Sequence, residues 1–491
     1  MPKYSFSSES PARVKADVLV LPVFKGPRPG PGVKETGLDG AYKAAKLLGK
    51  RGENLLVPRR SGDRFAAGAA LLVGVGDEDE FTVSALRKAH GRVAPILARF
   101  GSVATAIPLV FEGDDDALQA AVEGLELGSY RFDRYKTRSD DDRPKGFAKA
   151  TVVGDVDAKA GRAAVRRGEV IAGAVTWARD LVNTPAGDMP PAQIAREAQK
   201  MAKEVGLTCK IWTEPELRRG GFGGIVGVGA GSVNPPRFIE LTYKGAAGAK
   251  PIALTGKGVA FDSGGLSIKD AKGMETMKGD MGGAASILGA MRAIAQLKPK
   301  VNVIAAVPSS ENMPSGSATK PGDVLKHRGG KTSEVLNTDA EGRLILADAL
   351  AYLTEKRPRA IVDTATLTGA CMVALGADIT GALGTDEALI SQIRAAGEAV
   401  GEPVWQLPLW REYKPQIESA VADVKNIGNR YGGAITAALF LAEFVGDTPW
   451  VHLDIAGPAF SEKGNDLGPK GGTGVPVRTL VRYVLDRAAD E

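Results

Sequence analysis

Histidine and cysteine are scarce in this 491-residue chain, and each scarcity removes a class of explanation. The two cysteines, Cys209 and Cys371, are far apart and fit no disulfide or metal-ligand spacing, which points to a reducing compartment. The three histidines, His90, His327 and His452, form no His-Glu-x-x-His string, so a zinc site of that kind is excluded. No apolar run approaches the ~18 residues a membrane helix needs. Residues 1–11 are polar and lack the apolar core of a signal peptide. The expected location is the cytoplasm, with no membrane partner. A strong excess of charge is missing too. Net charge is +5, and opposite signs are interspersed, as in residues 269–278. A nucleic-acid binder concentrates Lys and Arg on one face, so charge does not support DNA binding.

What is present is globular composition, 44% hydrophobic and 25% charged. The length exceeds one ordinary core and predicts two domains. Apolar runs at 18–23, 70–75 and 103–110 predict buried strands, with helices at 40–48 and 83–100 between them. Residues 161–183 predict one long helix, because Ile171, Val175, Ala178 and Val182 make an apolar stripe. It ends before Pro185. Strands are expected at 238–243, 251–254, 301–307, 360–364 and 450–455, and helices at 191–205, 284–297, 342–356 and 434–444. The fold class is α/β. Two domains are expected, each a largely parallel mixed sheet with flanking helices: residues 1–160 for assembly or regulation, a connecting helix at 161–185, and a catalytic domain at 186–491. Residues 140–145 (DDDRPK) predict a solvated loop.

Three polar clusters interrupt the apolar elements after residue 250: Lys257 to Gly265 with Lys269 beyond it, Met277 to Gly283, and Asn337 to Leu344. Each falls where a strand yields to a loop or helix, the edge at which open α/β sheets bind ligands. Alone, Asp339 and Glu341 fit a helix N-terminal cap, and Lys257 fits a surface lysine. Together, Asp262, Asp280, Asp339 and Glu341 are carboxylates in glycine-rich loops, costly to bury without cations. Two divalent ions ~3.5–4 Å apart would satisfy them and make a hydrolytic centre. Oxygen ligands suit Mn²⁺ or Mg²⁺ as well as Zn²⁺. Asp262-Ser-Gly-Gly265 lacks the rest of a serine-protease context. The glycines at 227–231 lack the strand, helix and downstream acid of a nucleotide site.

The string Asn337-Thr-Asp-Ala-Glu-Gly-Arg-Leu344, with Lys257, Asp262, Lys269 and Asp280, resembles the leucyl aminopeptidase family, of the cytosolic two-metal type. Further landmarks follow in order: Asn183-Thr-Pro185, Ser310 to Gly316, Lys320 to Asp323, Thr366 to Ala370, Gly432 to Ala437 and His452 to Gly457. The resemblance implies an exopeptidase acting on peptides with a free N-terminus. It implies two divalent ions per chain, Mn²⁺ or Zn²⁺, with Mg²⁺ or Co²⁺ also admitted at an exchangeable site. By similarity, Asp262 and Glu341 bridge the ions, Lys257 and Asp280 complete the tighter site, and Asp339 the exchangeable one. Lys269 and Arg343 form the catalytic pair, Arg343 holding a bicarbonate base with main-chain help at Leu367. Met277, Thr366 and Gly369 lie beside the substrate. Gly282 and Pro458 are departures at the pocket edge. The family also implies a homohexamer of two stacked trimers, and some bacterial members bind DNA. An inactive scaffold is at odds with the complete ligand set, and a two-metal phosphoesterase with the absence of histidine from it.

Overall fold

The computed structural model describes residues 2–137 and 146–489, so the 140–145 loop lies outside the described residues. The chain forms two compact units, Met1–Thr176 with Lys463–Lys470, and Trp177–Glu462 with Gly471–Glu491. The division falls within the Ala158–Asn183 helix.

In the first unit, Lys3–Ser7, Lys149–Val153, Ser102–Thr105, Val18–Phe24 and Ala69–Gly76 pair in parallel in that order. Asn54–Pro58 closes the edge antiparallel. Val18–Phe24 and Ala69–Gly76 are buried along their whole length, as expected of strands covered on both faces. The expected strand at 103–110 stops at Thr105 and becomes a 3₁₀ turn over Ile107–Val110, because Pro108 has no N–H for the ladder. The expected helix at 40–48 is only Asp39–Ala44, followed by Lys46 in a left-handed conformation, φ 54°.

The second unit has a nine-stranded sheet. Its centre is parallel: Trp450–Asp454, Ala360–Ala365, Ile252–Gly256 and Asn302–Asn312, in that order. Arg237–Lys244 and Thr208–Trp212 extend one edge antiparallel. Thr380–Gly384 flanks the other, antiparallel to Trp450–Asp454. The helices Gly282–Leu297 and Gly342–Thr354 pack on this sheet, buried at nearly every position. The expectation therefore holds at the level of architecture: two α/β units with mixed, largely parallel sheets. The carboxyl ends of the central strands lead into the segments that carry Lys257, Asp262, Thr366 and Asp454.

Candidate metal centre and cleft

A cleft of about 470 Å³ opens at this carboxyl edge. It is lined by Lys257, Asp262, Lys269, Asp280, Asp339 and Arg343, and also by Met277, Thr366, Leu367 and Gly369. Glu341 lies directly behind, bound to Lys257. The structure thus brings every sequence-derived site residue to one place.

Lys257 follows the strand Ile252–Gly256 and is only 3% exposed. Its Nζ lies 2.8 Å from Asp280 Oδ2 and 2.7 Å from Glu341 Oε1, and donates to Thr366 O at 3.1 Å. Gly342 packs closely against it: a Cβ there would meet Lys257 Cε at 2.5 Å, so the lysine would have to shift. Glu341 stands at the N-cap of the Gly342–Thr354 helix, but its side chain makes no capping bond. The cap reading of this residue is therefore replaced by the ion pair with Lys257. Asp262 ends the strand Gly258–Asp262. Its Oδ1 accepts from Gly264 N at 2.9 Å and Asn312 Nδ2 at 2.8 Å, and its Oδ2 is 2.8 Å from Lys269 Nζ. Gly264 supplies the turn at φ +87°. Lys269 also pairs with Asp339.

Carboxylate oxygens of Asp262, Asp280 and Glu341 all lie within 4.8 Å of one another, and all three residues are buried. Burial, with Asp262 as a neighbouring like charge, pushes Glu341 up to about 8. Burial pushes Asp280 up to about 6, against the pull of Lys257. Asp339 is raised by burial as well. Four carboxylates face two ammonium groups, so the cluster demands more positive charge than the lysines supply. This donor set fits a metal centre. Burial opposes the charge on Lys257, but Asp280, Glu341 and Asp262 prevail and hold its ammonium above its ordinary value. Asp262 and Asp339 likewise overcome burial at Lys269.

Arg343 is 7% exposed. Its Nη1 donates to Asn426 O at 2.8 Å, while its buried Nε has no hydrogen-bond partner. Burial pushes the guanidinium down to about 10. An anion against Nε would satisfy this donor.

Sequence reasoning assigned no role to Asn312, Asn426 or Asp454. Asn312 Nδ2 donates to Asp262 and, at 2.9 Å, to Thr338 O, tying two of the three clusters together. Asn426 Oδ1 accepts from Leu336 N at 2.9 Å, and Asn426 Nδ2 donates to Asn337 O at 2.7 Å, which fixes the segment before Asp339. Asp454 accepts from Leu367 N at 3.3 Å and from Thr368 Oγ1 at 2.6 Å. Polar residues at strand ends were the available signal.

Residues 176–481 match the cytosol aminopeptidase family, catalytic domain, and residues 20–139 match its N-terminal domain. A probable cytosol aminopeptidase of Gloeobacter violaceus is 45% identical over 496 residues, covering 97% of this chain and 98% of its own. One of Streptomyces coelicolor is 44% identical over 523 residues, covering 100% of both. Among solved structures, the bottromycin maturation enzyme BotP has a TM-score of 0.86 at 35% identity, covering 96% of this chain and 100% of that one. BotP in complex with Mn has a TM-score of 0.86 at 34% identity.

Proposed function

The chain belongs to the cytosol aminopeptidase family of metallo-exopeptidases, and from that premise we propose how its residues divide the work of releasing N-terminal amino acids from peptides. The observation that carries the reading is the convergence of Asp262, Asp280 and Glu341 around Lys257 in the cleft. Asp262 and Glu341 would be shared between two divalent ions, with Lys257 and Asp280 completing one site and Asp339 the other. When bound, the ions would take the substrate amine, polarise the scissile carbonyl and lower the pKa of a water. Manganese is supported by the related BotP in complex with Mn and by the carboxylate donors, and zinc also accepts carboxylate ligands.

Lys257 must give up its proton to offer a lone pair, and a cation among the same carboxylates reverses the upward push they exert. Lys269 has the opposite task. Asp262 and Asp339 keep it charged, so it can donate to the carbonyl oxygen as negative charge develops there. Arg343 holds an anion with its free Nε. Bicarbonate at that place, with help from the Leu367 main chain, would act as the general base. Met277, Thr366 and Gly369 form the wall for the first side chain. The first unit serves assembly, a homohexamer in the cytoplasm. Among the described residues no helix is long and apolar enough to cross a membrane.

Chelation should abolish hydrolysis of leucyl amides, and readded Mn²⁺, Co²⁺ or Zn²⁺ should restore it. N-acetylated peptides should survive, because acetylation removes the amine that meets the ions. Equal rates on blocked and free peptides would refute the exopeptidase reading.

A further inference from the structure

The cleft is lined by two unlike sets of side chains. One is apolar, with Met277, Ala456, Ala459 and Phe460. The other is polar and includes Asn337, Asn429 and Arg430. The charged residues of the cleft floor are engaged with one another: Lys257 with Asp280, and Lys269 with Asp262 and Asp339. Arg343 is buried and donates to Asn426 O. Arg430 differs from all of them. It lines the cleft, is exposed at its mouth, and makes no ion pair or hydrogen bond among the described residues. The segment leading to it is anchored at two points. Asn426 is fully buried and bonded to Asn337 O at 2.7 Å, and Asn429 N donates to Gln416 Oε1 at 3.1 Å.

An uncommitted guanidinium on the rim of a cleft of this size selects a carboxylate, which it can bind through two parallel N–H···O bonds. The substrate's amino end is directed to the buried carboxylate cluster and its first side chain to the apolar set. The part beyond the scissile bond is left to the polar set with Arg430. From this we infer that Arg430 is a specificity-determining residue that binds a carboxylate on the leaving portion of the substrate, favouring short peptides over amides. The carboxylate has two sources, the free C-terminus of a dipeptide or an acidic side chain just after the scissile bond. This inference rests on the aminopeptidase reading and names the substrate class of that same site.

The test compares Leu-Gly, Leu-Gly-amide and Leu-Asp-amide on the Mn²⁺-loaded full chain. In the unaltered protein kcat/KM should be higher for Leu-Gly than for Leu-Gly-amide. In Arg430→Gln that ratio should fall roughly two- to fivefold, carried by KM rather than kcat. Arg430→Lys should restore part of it, since charge survives and the planar fork does not. If the loss is confined to Leu-Asp-amide, the recognised group is the side chain. If it is confined to Leu-Gly, it is the C-terminus. Ratios equal in Arg430→Gln and the unaltered protein, for both carboxylates, would overturn the inference and leave the aminopeptidase reading standing. Failure of the unaltered protein to cleave any of the three would overturn both.

Discussion

The two units handle buried charge in opposite ways. In the first, Arg87 and Glu123 pair at 2.6 Å with side chains 3% and 0% exposed. Glu123 also accepts from Gln119 Nε2 at 2.8 Å, and Gln119 Oε1 accepts from Arg167 Nε at 2.8 Å. His90 uses both ring nitrogens, on Leu86 O at 2.9 Å and Thr105 Oγ1 at 2.8 Å. The buried acid there has its own cation. In the second, three buried carboxylates converge within 4.8 Å, and burial together with the like charge of Asp262 raises Asp280 and Glu341. A structural network balances its charges from within, whereas a site keeps a surplus of one sign for something that must come from outside.

That contrast can be broken most severely at Lys257. Lys257→Ala should lose one metal ion per chain and nearly all activity. Lys257→Arg should not rescue, because guanidinium keeps its proton and cannot ligate. Elemental analysis finding two ions per chain in Lys257→Ala would make this lysine as structural as Arg87. The matching cut in the first unit is Arg87→Ala, which removes the guanidinium paired with buried Glu123. It should cost about 3–5 kcal/mol of stability in denaturant unfolding, while kcat per folded chain is preserved. A loss of kcat in protein that remains folded and metal-loaded would place catalytic function in the first unit.

Lys269→Ala sharpens the comparison within the catalytic unit. It should retain both ions and lose ~10²–10³ in kcat, about 3–4 kcal/mol of transition-state stabilisation. Loss of an ion instead would exchange the roles of the two lysines.

The smallest effect is a difference of sign with pH. Burial holds His90 down to about 4, below its ordinary 6.5. The unfolded chain binds the extra proton across that window, so this stability is present above pH 6.5 and lost as pH falls toward 4, up to about 3 kcal/mol. Glu341 is held up to about 8 against an ordinary 4.5. In metal-stripped protein the folded chain keeps a proton that the unfolded chain releases, so that contribution is present below pH 4.5 and lost as pH rises through about 8. Hydrogen exchange resolved by unit should show protection in the first unit rising from pH 4 to 6.5. Protection in the stripped second unit should fall from pH 5 to 8. Parallel trends would erase the distinction.

Legibility followed the range of the signal. Val18–Phe24 and Ala69–Gly76 were readable because a run of buried apolar residues is local. The Asp115–Ser129 helix was not anticipated. Eleven of its fifteen positions are buried, including Gln119, Glu123 and Glu126, so its polar residues do not mark a solvent face. Lys3–Ser7, with only Tyr4 buried, becomes a strand by pairing with Lys149–Val153, a partner far along the chain. The site residues were legible as a resemblance in three strings. The roles of Asn312, Asn426 and Asp454 were not, because their partners are distant in sequence. Asn312 reaches Asp262 across 50 positions, Asn426 reaches Asn337 across 89, and Thr368 reaches Asp454 across 86.

The sequence by itself determined the α/β class, the family and the set of candidate ligands, since these rest on periodicity and on strings of neighbouring residues. Tertiary structure alone decided the electrostatics. The sequence offered Lys257 as a candidate ligand, and the fold surrounds it with Asp280, Glu341 and Asp262, which hold its ammonium above its ordinary value. It also decided that Arg343 buries an unpartnered Nε while Arg430 stands uncommitted at the rim. Charge–charge energies depend on distance through space and on the local dielectric, and neither quantity exists until strands far apart in the chain lie side by side.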